Sequence, residues 1–114
     1  IFQPNRWGNP LVVEEYKLLF FTIPKVACTE WKLLFRRILN LPEWDPNVPL
    51  QKLHDPSYNQ LPYITNYTRD EAQMMLTSED WTRAVFVREP KERVLSAFMD
   101  KFVNQRFFAQ KCCG

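Results

Sequence analysis

The sequence predicts an α/β fold, a parallel sheet flanked by helices. Three observations carry that expectation. Two apolar runs, "YKLLFFTI" (16–23) and "RAVFV" (83–87), are continuous rather than alternating, as in strands buried on both faces. Each run is followed by a segment of helical period. The resulting order of strand, helix, loop, helix, strand, helix is that of an α/β chain, and a right-handed crossover sets the two strands parallel.

The run 16–23 is the first strand, bounded by charge and by Pro24. In "TEWKLLFRRILNLP" the period changes: Trp31, Leu34, Phe35, Ile38 and Leu39 recur at helical spacing, while Lys32, Arg36 and Arg37 fall on other faces. Thr29 is the expected N-cap, Glu30 suits the positive first turn, and Pro42 stops the helix. Residues 42–63 hold five prolines and no period, so a long loop is expected, of the kind that often carries function. "TRDEAQMMLTSEDW" reads as a helix capped by Thr68 and ending near Thr77 or Ser78. After the second strand, 83–87, Pro90 opens a third helix running to about Gln105, with Val94, Leu95, Phe98, Met99 and Phe102 on its apolar face.

Composition bounds the class. The 114 residues are 46% hydrophobic and 15% aromatic, which fits one small folded domain and excludes disorder. With two glycines against nine prolines, turns must rest on Pro, Asn and Asp. A net charge of +2 makes no case for nucleic acid. No apolar run approaches the ~18 residues of a membrane span. The chain begins at Ile1 without an initiator Met or a signal peptide, and is expected to be a piece of a longer protein. Its three cysteines have no metal spacing, and the adjacent Cys112 and Cys113 are expected to find partners in sequence outside it. Asn66-Tyr67-Thr68 is a glycosylation sequon, which favours a secretory lumen.

Both strands end in a basic residue followed by a helix start. The first gives Lys25 and then the helix near Thr29; the second gives Arg88 and then Pro90. In open parallel sheets ligands bind beyond the carboxyl ends of strands, and free N–H groups at a helix start attract anions. Lys25 adds a mobile point charge and Arg88 a planar fork suited to phosphate. Ser96, eight residues after Arg88, shares a polar helix face with Arg93. Taken singly, each of these is a solvated charge or a cap. Their pairing at equivalent strand ends points to one ligand with two separated anionic groups.

Two stretches, "IPKVACTEWK" (23–32) and "FVREPKERVLSAFMDKF" (86–102), resemble motifs of the Golgi carbohydrate sulfotransferases of the chondroitin and dermatan 4-O-sulfotransferase type. The first resembles the family's 5′-phosphosulfate loop, P-K-V-A-C-T-x-W-K. The second resembles its 3′-phosphate motif, F-V-R-x-P-x-x-R-x-x-S-A-x-x-x-K-F. The resemblance implies a P-loop-like partial sulfotransferase fold over 1–114, with the C-terminal part of the catalytic domain missing. It implies the donor 3′-phosphoadenosine 5′-phosphosulfate (PAPS), the product adenosine 3′,5′-bisphosphate, no metal and a glycan acceptor, for which a glycosaminoglycan-like chain is one option. By analogy Lys25 contacts the 5′-phosphate and bridging oxygen. Backbone N–H groups of Val26, Ala27, Cys28, Thr29 and Glu30, with the Thr29 hydroxyl, cradle the 5′ end; without glycine, Val26 and Ala27 can supply those donors if the loop keeps ordinary dihedrals. Arg88 and Ser96 hold the 3′-phosphate, with Arg93 and Lys101 in support.

His54, the only histidine, is the candidate base for the acceptor hydroxyl, and Glu30 a weaker one. Lys52, Arg69 and Arg83 are candidates to meet an acidic glycan, or form a solvated face. The family further implies a Golgi-lumenal parent of type II topology, anchored in the membrane outside this chain. Two other readings are a P-loop-like nucleotide kinase or NTPase and a non-catalytic nucleotide- or glycan-binding descendant. The absence of glycine in the loop, and of an Asp at the end of the second strand, weighs against the kinase.

Overall fold

The computed structural model describes residues 8–104. Its centre is a three-stranded sheet in the order β1-β2-β3, with β1 Leu11–Val13, β2 Leu18–Phe21 and β3 Thr82–Val85. β2 and β3 are parallel, with Leu18 opposite Thr82 and Phe21 opposite Val85. The expected pair is therefore present, but a third strand was not foreseen. β1 runs antiparallel to β2, Leu11 opposite Phe20, through a tight connection in which Glu14–Tyr16 form a 3₁₀ turn and Lys17 closes it at φ 46°. "LVV" is too short for its period to show. The same turn takes Tyr16 and Lys17 out of the predicted first strand.

β2 is the central strand, and its alternate residues feed two cores. Phe20 packs with Leu11, Val13, Phe35, Leu61 and Tyr63 on one face. Leu19 packs with Val12, Ile64, Ala72, Met75 and Trp81 on the other. Each such fully buried side chain contributes about 1.5–3 kcal/mol relative to exposure. α1, Cys28–Ile38, covers the first face; α3, Arg69–Thr77, covers the second.

α1 departs from its predicted amphipathic split. Leu34 is exposed, whereas Lys32 and Arg36 are buried, 6% and 5% accessible. The cause is the 42–63 segment, which folds back over that side of the helix. It is not one structureless loop: Leu50–His54 form a 3₁₀ turn, and Pro56–Asn59 form the short α2, capped by Asp55. Arg36 donates to the carbonyls of Asn59 (2.5 Å) and Pro42 (2.6 Å), and its guanidinium lies over the Trp44 ring. Asn59, fully buried, donates to Leu53 O and Tyr63 Oη and accepts from Leu61 N–H. Side-chain polarity here closes a loop onto a helix by satisfying its backbone.

Thr68 caps α3 as expected, in a reciprocal box with Glu71. The second predicted strand is shifted and its burial is corrected: β3 ends at Val85, Thr82, Arg83 and Val85 are exposed, and Val87 is 77% accessible. β3 pairs only with β2 and is an edge among the described residues. α4 spans Pro90–Phe98 and continues as a π-helical turn, Met99–Asn104; Gln105, Cys112 and Cys113 lie outside the described residues. The apolar face predicted for α4 exists but is open, with Val94, Leu95, Phe98 and Met99 all exposed. No described helix is long and apolar enough to cross a membrane.

Candidate functional site

Because β2 and β3 are adjacent and parallel, their carboxyl ends bring the segments 22–28 and 86–90 to one edge of the sheet. The first segment is not built from ordinary dihedrals. Lys25 (φ 66°) and Ala27 (φ 53°) are both left-handed, and Val26 between them is not. Left-handed geometry costs a non-glycine residue roughly 1–2 kcal/mol. The expectation of an unstrained loop is thus corrected. Alternating handedness turns successive N–H groups toward one side, the concave arrangement that attracts anions. Ala27, not Thr29, occupies the N-cap position of α1, and its carbonyl accepts from Trp31 N–H at 3.0 Å. With Cys28 as the first helical residue, Thr29 lies within the first turn and its hydroxyl is left for other partners.

Arginine side chains from the second segment and from α4 reach the backbone of the first. Arg88 Nη1 donates to Lys25 O at 3.4 Å, while its Nε faces Glu92 at 3.3 Å. Arg93 Nε donates to Pro24 O at 3.0 Å. Lys25 Nζ pairs with Asp100 at 3.0 Å, and Lys101 reaches the same carboxylate at 3.2 Å. Hydrogen bonds from Lys25 and then Lys101 hold the Asp100 carboxyl below its usual range. The π-helical turn after α4 thereby reaches back to the loop after β2. Ser96 sits part-buried on α4 and Glu30 is exposed on α1.

The 42–63 segment supplies the third side. His54 Nε2 lies 3.2 Å from Thr29 Oγ1, and Nδ1 lies 3.3 Å from Lys32 Nζ. Burial, then the charges of Lys32 and Lys101, lower the His54 pKa, which favours a neutral ring. Burial also lowers the pKa of Lys32.

The sequence profile of the sulfotransferase family matches residues 9–113. The chain belongs to the sulfotransferase family. It is 35% identical over 97 residues to carbohydrate sulfotransferase 10 of Homo sapiens, an alignment covering 84% of this chain and 27% of that protein. The corresponding Danio rerio protein is 36% identical over 97 residues, 84% of this chain and 26% of its own. Carbohydrate sulfotransferase 11 of Rattus norvegicus is 32% identical over 107 residues, 92% of this chain and 29% of its own. The chain spans little more than a quarter of the length of the curated relatives it matches. No solved structure matches it significantly.

In this sulfotransferase chain, then, the family reading drawn from the two motifs holds. Lys25, Val26, Ala27, Cys28 and Thr29 lie in one loop and helix start, with Arg88 against its backbone and His54 against Thr29. The other basic candidates do not gather there. Arg83 donates to Ser78 O at 2.9 Å at the end of α3, Lys52 lies over the Tyr58 ring, and Arg69 is exposed in the first turn of α3. Two residues of the cluster were missed. Lys32 follows Thr29 by one helical turn, and that spacing was a signal for it. Asp100 follows Ser96 by four residues, but its pairing with Lys25 spans 75 positions and has no local signal.

Proposed function

We propose that this chain is the donor-binding portion of a carbohydrate O-sulfotransferase that moves a sulfuryl group from PAPS to a glycan hydroxyl. The observation that carries the reading is the meeting of two cationic strand ends on one sheet edge, with Arg88 bonded to the backbone of Lys25 at 3.4 Å. A left-handed, N–H-rich loop beside Lys25 fits the 5′ end of the donor, and Arg88 with Ser96 fits the 3′-phosphate. In outline this is a P-loop-like site, reached here without glycine, within a domain larger than 1–114.

The chemistry assigned to the residues follows from charge. The acceptor oxygen forms a bond to sulfur as the bridging S–O bond breaks, and adenosine 3′,5′-bisphosphate leaves. Lys25 offsets the charge that grows on the leaving phosphate, once it exchanges Asp100 for the donor. N–H groups of Val26, Ala27, Cys28, Thr29 and Glu30 and the Thr29 hydroxyl hold the 5′ end. His54 takes the acceptor's proton.

That last role sets a condition on Lys32. A charged lysine only donates, so beside it the neutral ring accepts at Nδ1 and keeps its hydrogen on Nε2, where it cannot act as a base. Nε2 carries no hydrogen and can accept when Lys32 has lost its proton and itself accepts from Nδ1–H. Burial of Lys32 favours that exchange.

The proposal extends to a glycan acceptor and to a Golgi-lumenal parent of type II topology; these rest on the family resemblance and on relatives that are carbohydrate sulfotransferases. Transfer of labelled sulfate from PAPS to a panel of glycans by the parent protein tests the reading. Label should reach a glycan without ATP, and Lys25→Ala should abolish transfer while the protein stays folded. Transfer unaffected by Lys25→Ala would contradict it.

A further inference from the structure

The sequon Asn66-Tyr67-Thr68 lies where the 3₁₀ turn Ile64–Asn66 passes into α3. Asn66 is exposed, and its Oδ1 accepts from Tyr63 N–H at 2.8 Å. That bond fixes the amide so that Nδ2, the atom a glycan joins, carries no protein partner among the described residues. Tyr67 (φ −104°, ψ 161°) and Thr68 (φ −65°, ψ 161°) are extended, and the Tyr67 phenol is bonded to Glu14. Burial and Glu14 push that phenol up to about 12, so it stays a donor. Ile64 and Tyr67 pack in the core beneath α3, whereas α1 covers the other face of the sheet.

We propose that Asn66 carries an N-linked glycan, projecting from the α3 side of the sheet and away from the donor loop. The proposal rests on the lumenal reading above. The reaction joins Nδ2 to the anomeric carbon of an oligosaccharide carried on a lipid diphosphate. The carbon–oxygen bond to the diphosphate breaks, the lipid diphosphate leaves with the electron pair, and one Nδ2 proton passes to a base of the oligosaccharide transferase.

The structure also fixes when this happens. The sequon's hydroxyl is the cap of α3: Thr68 Oγ1 donates to Glu71 at 2.9 Å and accepts from Glu71 N–H at 3.3 Å. A hydroxyl committed in both directions is not available to a transferase, so the glycan is added before α3 is capped. Thr68 therefore serves twice, first in modification and then in folding.

The test uses the full-length parent expressed through the secretory pathway, with mass spectrometry of the peptide containing Asn66. The expected result is a glycopeptide at Asn66, lost in Asn66→Gln and retained in Thr68→Ser, with sulfate transfer unchanged in both. Folded, unglycosylated parent incubated with oligosaccharide transferase and lipid-linked donor should stay unmodified. Protease protection in intact microsomes is read on the same sample. A protected chain with bare Asn66 overturns the glycan while leaving the lumenal reading intact. A chain digested in intact microsomes overturns the lumenal reading, and the glycan with it. Efficient modification of the folded protein overturns the order of events.

Discussion

Lys32 presses its amine against the imidazole of His54 from inside the protein, 3.3 Å from Nδ1. Its charge state decides which ring nitrogen holds the hydrogen, and this yields a test that separates positioning from bulk. Lys32→Arg keeps a permanent donor on Nδ1, so the ring holds its hydrogen on Nε2. The parent should then lose about 10²–10⁴-fold in kcat, the range of a lost general base, with little change in donor KM. Lys32→Met instead removes a cause of the lowered His54 pKa. The His54 ring signals should then titrate at higher pH by NMR, and the acidic limb of the kcat/KM profile should follow the ring alone, with no lysine proton to lose first. Stability carries the same sign. A folded pKa below the unfolded value means the unfolded chain binds more protons between the two, so stability falls as pH drops through the ordinary histidine range and levels off below the folded pKa.

At the same scale, under the proposed donor site, the part-exposed pair Lys25–Asp100 would compete with the donor for one amine. Pairs of this kind are worth about 0.2–1 kcal/mol, so Asp100→Asn should tighten adenosine 3′,5′-bisphosphate binding by no more than about fivefold in calorimetry. Weaker binding would mean that Asp100 aims Lys25 rather than occupying it. Lys25, Thr29 and Arg88 were legible in the sequence because each follows a strand end. The left-handed dihedrals of Lys25 and Ala27 were not, since neither residue type advertises them.

Among the elements, α1 shows why periodicity gave the helix but misjudged one of its faces. Lys32 and Arg36 read as solvated because a helical wheel contains no information about a segment that returns from 22 or 23 residues away. Arg36 in fact ties α1 to that segment through the carbonyls of Asn59 and Pro42. Arg36→Ala leaves the buried Asn59 carbonyl without its donor, whereas the carbonyl of the exposed Pro42 can turn to water. It should cost about 1–3 kcal/mol in urea unfolding, the penalty for an unsatisfied buried acceptor. A loss under about 1 kcal/mol would mean that water replaces the guanidinium without strain. Thr68 was legible as the cap of α3 because a helix cap is local in sequence; its partner Glu71 came from the structure. β1 was not, because a three-residue strand takes its identity from pairing with β2.

For the whole molecule, the sheet is covered on both faces around β2 and left open beside β3. Val85, Phe86, Val87, Val94, Leu95 and Phe98 are all exposed, and Pro90, Lys91, Val94, Leu95 and Phe98 line an open groove of about 510 Å³. The apolar run 83–87 predicted a buried strand, which is what its composition suits; the described residues cover only Ala84 and one face of Phe86, stacked on Trp31 at 4.4 Å. Under the proposal of a larger domain, the rest of the parent covers this face. Leu95→Lys with Phe98→Lys should make the isolated chain less prone to self-association, read by sedimentation, yet destabilise the full-length protein. The opposite pattern would make the face a surface of the parent as well.

The central claim is that two strand ends hold one ligand with two separated anions. Calorimetric titration of the parent with adenosine 3′,5′-bisphosphate, without metal, beside 5′-AMP and Mg-ATP, tests it most directly. The account predicts preferential binding of the bisphosphate, with the preference over 5′-AMP lost in Arg88→Ala. Equal binding of 5′-AMP, or a preference for Mg-ATP, would contradict it.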